Sequence, residues 1–379
     1  MTKRPTWAEV DLGAIRHNAA VLAELAAPSH LCAVVKAGGY GHGAAQVAKA
    51  ALEGGASWLA VALVEEGREL RCAGIAAPVL LLSEPTPAAM REVVEARLTP
   101  TVYTREGLDA LAEAVAAGSP ATAPYPVHVK VDTGMHRVGA CPDDAVELAL
   151  AAARRPGLAL EGFWTHFAVS DELDNLYTAR QVEAFEKALA ALAEGGVRPR
   201  LRHAANSAAT MWHPLSRFDL VRCGIAVYGL SPAGDGVARP PCPRLRPALA
   251  LKARISYVKA VAAGERISYG LRYTVERDSV VATVPIGYAD GVTRSLSATG
   301  GVVLVGGRRR PIAGTVTMDQ IMVDCGPGAA VRAGDEVVLL GRQGGEEITA
   351  WEWAERTGTI AYEVVCGVSV RVPRYYVEG

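Results

Sequence analysis

The chain has 379 residues, half of them hydrophobic, and its 39 basic and 40 acidic side chains leave a formal net charge of −1. That length holds two domains, or one large barrel with an appendage, with ample core for either. The balanced charge argues against a dedicated nucleic-acid binder, and no apolar run reaches the length needed to cross a bilayer. Seven cysteines (Cys32, Cys72, Cys141, Cys223, Cys242, Cys325 and Cys366) are dispersed without a Cys-x-x-Cys pair. Such a set suits reduced, mostly buried thiols, with neither a disulfide frame nor a metal site. Met1-Thr2-Lys3-Arg4-Pro5 leads into an amphipathic segment without a signal-peptide core, so a soluble cytoplasmic protein is expected.

Taken in chain order, Thr6–Asp11 is strand-like and residues 13–27 follow a helical period. A β-branched run then ends at Lys36, before Ala37-Gly38-Gly39-Tyr40-Gly41-His42-Gly43. Further strand-like runs lie at 58–62, 78–82, 98–102, 126–132, 158–165, 200–203 and 218–222. Helical periodicity fills 43–52, 64–72, 87–96, 106–117, 143–153 and 179–192. Eight strands alternating with helices predict an α/β fold, a (β/α)₈ TIM-type barrel over residues 1–238. A doubly wound sheet is the runner-up, but no strand leads into Gly-x-Gly-x-x-Gly. Around 231–247 the chain turns to Pro, Gly and Arg, the mark of a linker. Short runs at 250–261, 279–284, 301–305, 312–316, 321–323, 336–340 and 364–372, with one helix at 350–357, then predict a mainly β C-terminal domain over 239–379. Residues 1–11 are a candidate to pair with it.

In such a barrel, chemistry gathers at the C-terminal ends of the strands. Lys36 ends the first predicted strand, Lys130 and Asp132 the fifth, and His166 the sixth. His203 ends the seventh, with Asn206 and Ser207 after it, and Arg222 ends the eighth. One lysine or histidine there is ordinarily structural; several converging on one rim make a site. A strand-end lysine is partly desolvated, which favours its neutral amine and attack on an aldehyde to give a Schiff base. The loops after the last two strands of such barrels often bind phosphate, and Ser207 and the Gly224 and Ile225 amides are suitable donors. An amine for an aldehyde plus a cradle for a phosphate points to pyridoxal phosphate.

Taken together these residues resemble the bacterial alanine racemases along essentially the whole chain. The resemblance rests on residues 33–43, the run Lys130-Val131-Asp132-Thr133-Gly134-Met135-His136-Arg137-Val138-Gly139, and Thr165-His166-Phe167-Ala168. It continues through His203-Ala204-Ala205-Asn206-Ser207 and residues 221–229. In the second half it is carried by Ser268-Tyr269-Gly270, residues 285–291, Thr317-Met318-Asp319-Gln320 and Tyr362-Glu363-Val364. It implies a pyridoxal-phosphate enzyme that interconverts L- and D-alanine and supplies D-alanine for peptidoglycan. It also implies a head-to-tail homodimer with shared active sites and an amino acid as the small-molecule partner, with no nucleic acid, membrane or metal.

By the same resemblance, Lys36 of one subunit holds the cofactor and is one base; Tyr269 of the other is the second, acting on the opposite face of the substrate. A free phenol titrates near pH ~10, and the family lowers that barrier through a chain carried here by His166 and Arg222. Arg222 against the pyridine nitrogen leaves it unprotonated, which disfavours side reactions such as transamination. Tyr40, Ser207, Gly224, Ile225 and Tyr362 would hold the phosphate. Arg137 and the Met318 amide would hold the substrate carboxylate, and Lys130 matches a position carbamylated by CO₂. His203, Asn206 and Asp319 would support these groups, while Tyr288, Asp171 and Arg294 would shape the entrance. A bland reading of Tyr288 and Tyr362 as domain-interface aromatics, and of Asp171 and Arg294 as solvated charges, stands beside this. His42, His136 and His213 are taken as structural.

Four residues depart from the family's pattern. Gly38 and Gly39 replace Asp or Asn and Ala, Cys223 replaces a proline, and Thr315 replaces an arginine. They leave open a racemase of serine or another small amino acid in a specialised pathway. A decarboxylase on the same plan is disfavoured by Arg222, and a non-catalytic carrier would not need Tyr269 or Met318.

Overall fold

Strands covered on both faces need unbroken apolar runs, and the first half of the chain supplies them. The structure, a computed structural model, describes residues 4–118, 124–234 and 244–379. Residues 235–243 of the expected linker, Cys242 among them, and residues 1–3 lie outside the described residues. Two compact units result: one holds Ala14–Gly39 and Ala44–Arg246, the other the residues up to Gly13, Tyr40–Gly43 and Pro247–Gly379.

The strands are numbered from β1, Thr6–Asp11, which belongs to the second unit. In the first unit, β2 is His30–Val34, β3 Trp58–Val61, β4 Val79–Leu81 and β5 Thr101–Val102. They are followed by β6 Tyr125–Lys130, β7 Leu158–Trp164, β8 Leu201–His203 and β9 Leu220–Cys223. They form two parallel arcs, β4-β3-β2-β9 and β5-β6-β7-β8. A parallel bridge between Leu80 and Thr99 joins the arcs on one side, and the Arg222 amide donates to the Ala205 carbonyl at 2.9 Å on the other. The ring closes into the eight-stranded barrel expected from the sequence.

Its helices bury one stripe each. In Pro142–Arg154 that stripe is Ala145, Leu148, Ala149 and Ala152, the i, i+3, i+4, i+7 spacing of a helix against a core. A short helix that the periodicity did not reveal, Ser207–Trp212, follows β8. Asn206 caps it, its side-chain oxygen accepting from the Ala209 amide, and this sets Ser207 at the first helical position.

The second unit adds β10 Leu249–Arg254, β11 Tyr257–Val261, β12 Arg266–Ile267, β13 Tyr273–Thr274, β14 Ser279–Val284 and β15 Val302–Val305. To these it adds β16 Arg308–Pro311, β17 Ile321–Asp324, β18 Glu336–Gln343, β19 Glu346–Ile348 and β20 Arg374–Val377. The largest sheet runs β16-β15-β18-β10-β1-β20, with β19 on β18; β11-β14-β17 and the β12-β13 pair stand apart. β1 pairs antiparallel with β10 and parallel with β20, so it lies inside the largest sheet, one place from its edge.

Three sequence expectations fail here. Residues 250–261 form two strands in different sheets, not one. Residues 312–316 are not a strand: Ile312 makes an isolated bridge to Val323, and the Arg-rich β16 takes the place beside β15. The run 364–372 begins inside the helix Ala361–Cys366, because burying Ala361, Val364 and Val365 on one side matches the helical repeat.

Candidate active site

Lys36 lies two residues beyond β2, half-buried, at the head of an unusual turn. Ala37, Gly38 and Gly39 adopt φ of 53°, 60° and 64°, and Tyr40 follows at 48°, so the backbone makes a left-handed turn. Each L-residue in that conformation costs about 1–2 kcal/mol, which glycine avoids. Gly38 and Gly39 therefore relieve the turn of strain. The Glu66 carboxylate anchors it, accepting from the Ala37 amide at 2.6 Å and from the Ala62 and Leu63 amides at 2.8 and 3.1 Å.

Around the same rim stand Lys130, Arg137, His166 and Arg222. Lys130 ends β6, its ammonium nitrogen 4.3 Å from the centre of the Trp164 ring; the Arg222 guanidinium carbon is 4.4 Å from the same centre. Burial first, then Arg222 and Arg137, against a smaller upward pull from Asp132 and helped by Lys36, bring the Lys130 amine down to about 7. Burial pulls Arg222 to about 10, so it stays charged near neutrality. His166 keeps some solvent-exposed surface, but its ring is desolvated. That desolvation and the charges of Arg222, Lys130, Arg137 and Lys36 hold it well below the usual histidine value. Four basic side chains thus gather about one neutral imidazole. Asp132 opposes them, and its carboxylate also accepts from the Gly134 and His136 amides.

Arg222 is fixed by four bonds. One NH₂ donates to His203 Nδ1 at 2.9 Å; the other shares its two hydrogens among the Thr165 and Ala204 carbonyls, at 2.8 and 3.1 Å, and His166 Nδ1, at 3.2 Å. A guanidinium only donates, so His166 accepts at Nδ1 and carries its proton on Nε2. Beside this group, the Ser207 hydroxyl oxygen accepts from the Gly224 amide at 3.0 Å and the Ala226 amide at 3.4 Å. Ala226, not Ile225, supplies the second amide to that oxygen. Cys223 is buried, its thiol donating to Thr210 Oγ1 at 3.5 Å. Asp171 and Arg137 are exposed. Among the described residues, no three His, Cys, Asp or Glu side chains gather where they could hold a metal ion.

The second unit holds the other predicted residues in a different state. Tyr269 is 74 % exposed and Met318 52 %, with Tyr288 and Arg294 also exposed. With Asp319 and Gln320 they line one open cavity of about 540 Å³. Their backbones are nonetheless held firmly. Thr315 Oγ1 donates to the Tyr269 carbonyl at 2.8 Å, while Ser268, at φ 66°, donates to the Thr315 carbonyl at 2.7 Å. The Tyr288 and Ala289 amides donate to the carbonyls of Thr317 and Met318. Beneath them Asp290, wholly buried, receives two bonds from Arg4 at 2.6 Å and one from the Gly287 amide, and Arg371 reaches Asp319 at 2.6 Å. Also in this unit, the Tyr40 and Tyr362 rings lie 6.3 Å apart.

Sequence reasoning missed Glu66, Trp164, the clamp by Thr315, and Asp290 with Arg4. The Gly287–Asp290 turn in a matched motif was the only available signal for the last.

Comparison with known proteins agrees with this geometry. The family model for the alanine racemase N-terminal domain matches residues 10–232, and that for the C-terminal domain matches residues 248–376. An alanine racemase of Symbiobacterium thermophilum is 52% identical over 374 residues, covering 98% of this chain and 97% of its own. The crystal structure of alanine racemase from D-cycloserine-producing Streptomyces lavendulae superposes with a TM-score of 0.92 at 42% identity, covering 100% of this chain and 98% of that one. A histidine racemase from Leuconostoc mesenteroides shares the fold at 30% identity and a TM-score of 0.90, with 100% and 99% covered. The chain belongs to the alanine racemase family, pyridoxal-phosphate-dependent isomerases that interconvert the enantiomers of alanine.

Proposed function

We propose that the barrel rim binds pyridoxal phosphate and racemises alanine with two acid–base groups, Lys36 of one copy and Tyr269 of a second. The observation that carries this reading is the cluster of basic groups at the rim: Lys36, Lys130, Arg137 and Arg222 all bear on His166. Such a donor set fits an anionic group with an aldehyde and a phosphate. When bound, pyridoxal phosphate supplies the aldehyde that takes the substrate amine and a π-system that acidifies the α-hydrogen.

The chain's own residues do the rest. Ser207 and the Gly224 and Ile225 amides hold the phosphate as neutral donors, and Arg222 donates to the pyridine nitrogen without surrendering its proton. Lys36 moves a proton at one face of the α-carbon and Tyr269 at the other. His166 accepts from Arg222 at Nδ1, which leaves Nε2–H as a donor able to stabilise the ionised Tyr269 oxygen. Arg137 and the Met318 amide hold the substrate carboxylate. With its value near 7, Lys130 presents a large fraction of free amine, the form that adds CO₂, and a carbamate would sit well among the rim's cations. His203, Asn206 and Asp319 steady these groups, while Tyr288, Asp171 and Arg294 shape the entrance.

The exposed face of Tyr269, Tyr288 and Met318 is apolar ground with charged neighbours, Arg294 and Asp319, as expected of a surface that docks on a second copy in a homodimer. No helix among the described residues is long and apolar enough to cross a membrane. A cytoplasmic enzyme supplying D-alanine to peptidoglycan is the consistent setting. A second reading, a racemase for serine or another amino acid, draws support from the histidine racemase that shares this fold. A chiral assay of the cofactor-loaded protein across amino acids decides between them: alanine turning over fastest supports the first, and another amino acid overturns it.

A further inference from the structure

A line of hydrogen bonds leaves Arg222 and runs away from the rim through the barrel interior. Arg222 donates to His203 Nδ1 at 2.9 Å; His203 Nε2 lies 3.0 Å from His128 Nδ1; His128 Nε2 lies 3.4 Å from Glu161 Oε2. The other Glu161 oxygen is paired with Arg200, which reaches solvent. Both imidazoles are fully buried. Their planes are held by aromatic neighbours, His203 stacked on Trp164 at 5.4 Å and His128 tilted against Trp58 at 5.6 Å.

The two ends of this line leave no freedom in its middle. A carboxylate only accepts, so His128 must carry a proton on Nε2. With its ring neutral, His128 Nδ1 is then an acceptor, and His203 must donate to it from Nε2. That leaves His203 Nδ1 bare, which is the atom the guanidinium requires. Burial favours one proton per ring, holding both imidazoles below the usual histidine value. Every bond points the same way, from cation to carboxylate, so each strengthens the next. Room for the arrangement depends on Gly162: a Cβ there would stand 2.3 Å from His128 Nδ1.

We propose that His128 and Glu161 are positioning residues for Arg222, an ordered donor chain that fixes the His203 tautomer and thereby holds the guanidinium in one orientation at the cofactor site. This rests on the reading of Arg222 as the partner of the cofactor ring. Neither His128 nor Glu161 touches the rim, so their effect passes through His203.

The test uses holoenzyme labelled with ¹⁵N-histidine. Imidazole ¹⁵N shifts are expected to show His128 and His203 as neutral rings protonated at Nε2; an Nδ1–H tautomer or an imidazolium at either overturns the chain, whatever the activity. Kinetics then test its purpose. His128→Leu is expected to lower kcat about tenfold or more with KM little changed and the cofactor's absorption retained. His128→Gln, whose amide can both accept and donate, is expected to recover most of that loss. Should the leucine variant not fold, Glu161→Leu at the less buried end gives the same readout. A folded, cofactor-bound variant with unaltered kcat removes the positioning role. If Arg222→Lys is silent as well, the assignment of Arg222 to the cofactor falls instead.

Discussion

The barrel rim and the Tyr269–Met318 face use opposite strategies to hold their side chains. On the rim, Lys130, His203, Ser207 and Arg222 are buried, and their side chains are themselves held: Arg222 on His203, Lys130 over the Trp164 ring, and Ser207 by the Gly224 amide. On the second unit, Tyr269 and Met318 are exposed and the order is in the backbone beneath them, through Thr315, Ser268 and the Tyr288–Asp290 turn. A preorganised electrostatic site needs desolvated charges. A group delivered to another copy must stay accessible until docking, so only its main chain can be fixed in advance. Rim substitutions should therefore disturb cofactor binding, and face substitutions should disturb turnover alone.

The largest expected effect separates the two directly. Tyr269→Phe should lower racemisation by about 10²–10⁴-fold, the usual contribution of a positioned acid–base group, with the cofactor's visible absorption intact. Lys36→Arg should abolish that absorption together with turnover. If the Tyr269 variant loses the chromophore, or turns over normally, the division between rim and face is wrong.

Next in size is the buried charge under the face. Asp290→Asn leaves Arg4 without its ionised partner, and Arg4 is about a third exposed, so the loss is set below that of a fully buried pair, at about 2 kcal/mol. Denaturant unfolding measures it. A variant as stable as the parent would mean that the Arg4 bonds contribute little to holding this turn.

Smaller still is the cost of a side chain in the left-handed turn. A Cβ at Gly38 meets no atom within 4 Å, so Gly38→Ala tests backbone strain without a steric clash. A destabilisation of about 1 kcal/mol is expected; no change would show that the turn relaxes.

The last prediction is a pH dependence. The Lys130 amine sits near 7 in the folded protein against an ordinary 10.5. Between those values the unfolded chain binds a proton that the folded one lacks, so stability rises with pH across the window. Below about 7 both states are protonated and the penalty is constant. Lys130→Met should flatten this rise when unfolding is compared from about pH 7 to about pH 10, whereas parallel curves would place Lys130 in a wetter site.

This contrast also explains what could be read from the chain alone. Barrel strands such as β2 and β6 are short, β-branched or apolar-rich runs, so their ends, with Lys36 and Lys130, could be located from composition. The valine-rich run misled at 364–372, where a helix buries Val364 and Val365, and β16 hid behind three arginines. His128 and Glu161 lie within strands and read as core and surface. Their function appears only when β6, β7 and β8 bring them into line with Arg222. Thr315 and Tyr269 are 46 positions apart, and Arg4 and Asp290 286, distances at which no local pattern survives. Tyr269 and Met318 were visible only through resemblance, because an exposed tyrosine beside a glycine turn carries no chemical signal of its own.

The central claim is that rim and face belong to different copies in one working site. Mixing inactive Lys36→Ala and Tyr269→Phe proteins under conditions of subunit exchange tests it. In a two-fold dimer, half the pairs formed at random are hybrids with one intact site, so activity should return to about a quarter of the parent's. Two proteins that remain inactive after proven exchange would place Lys36 and Tyr269 in the same subunit and contradict the account.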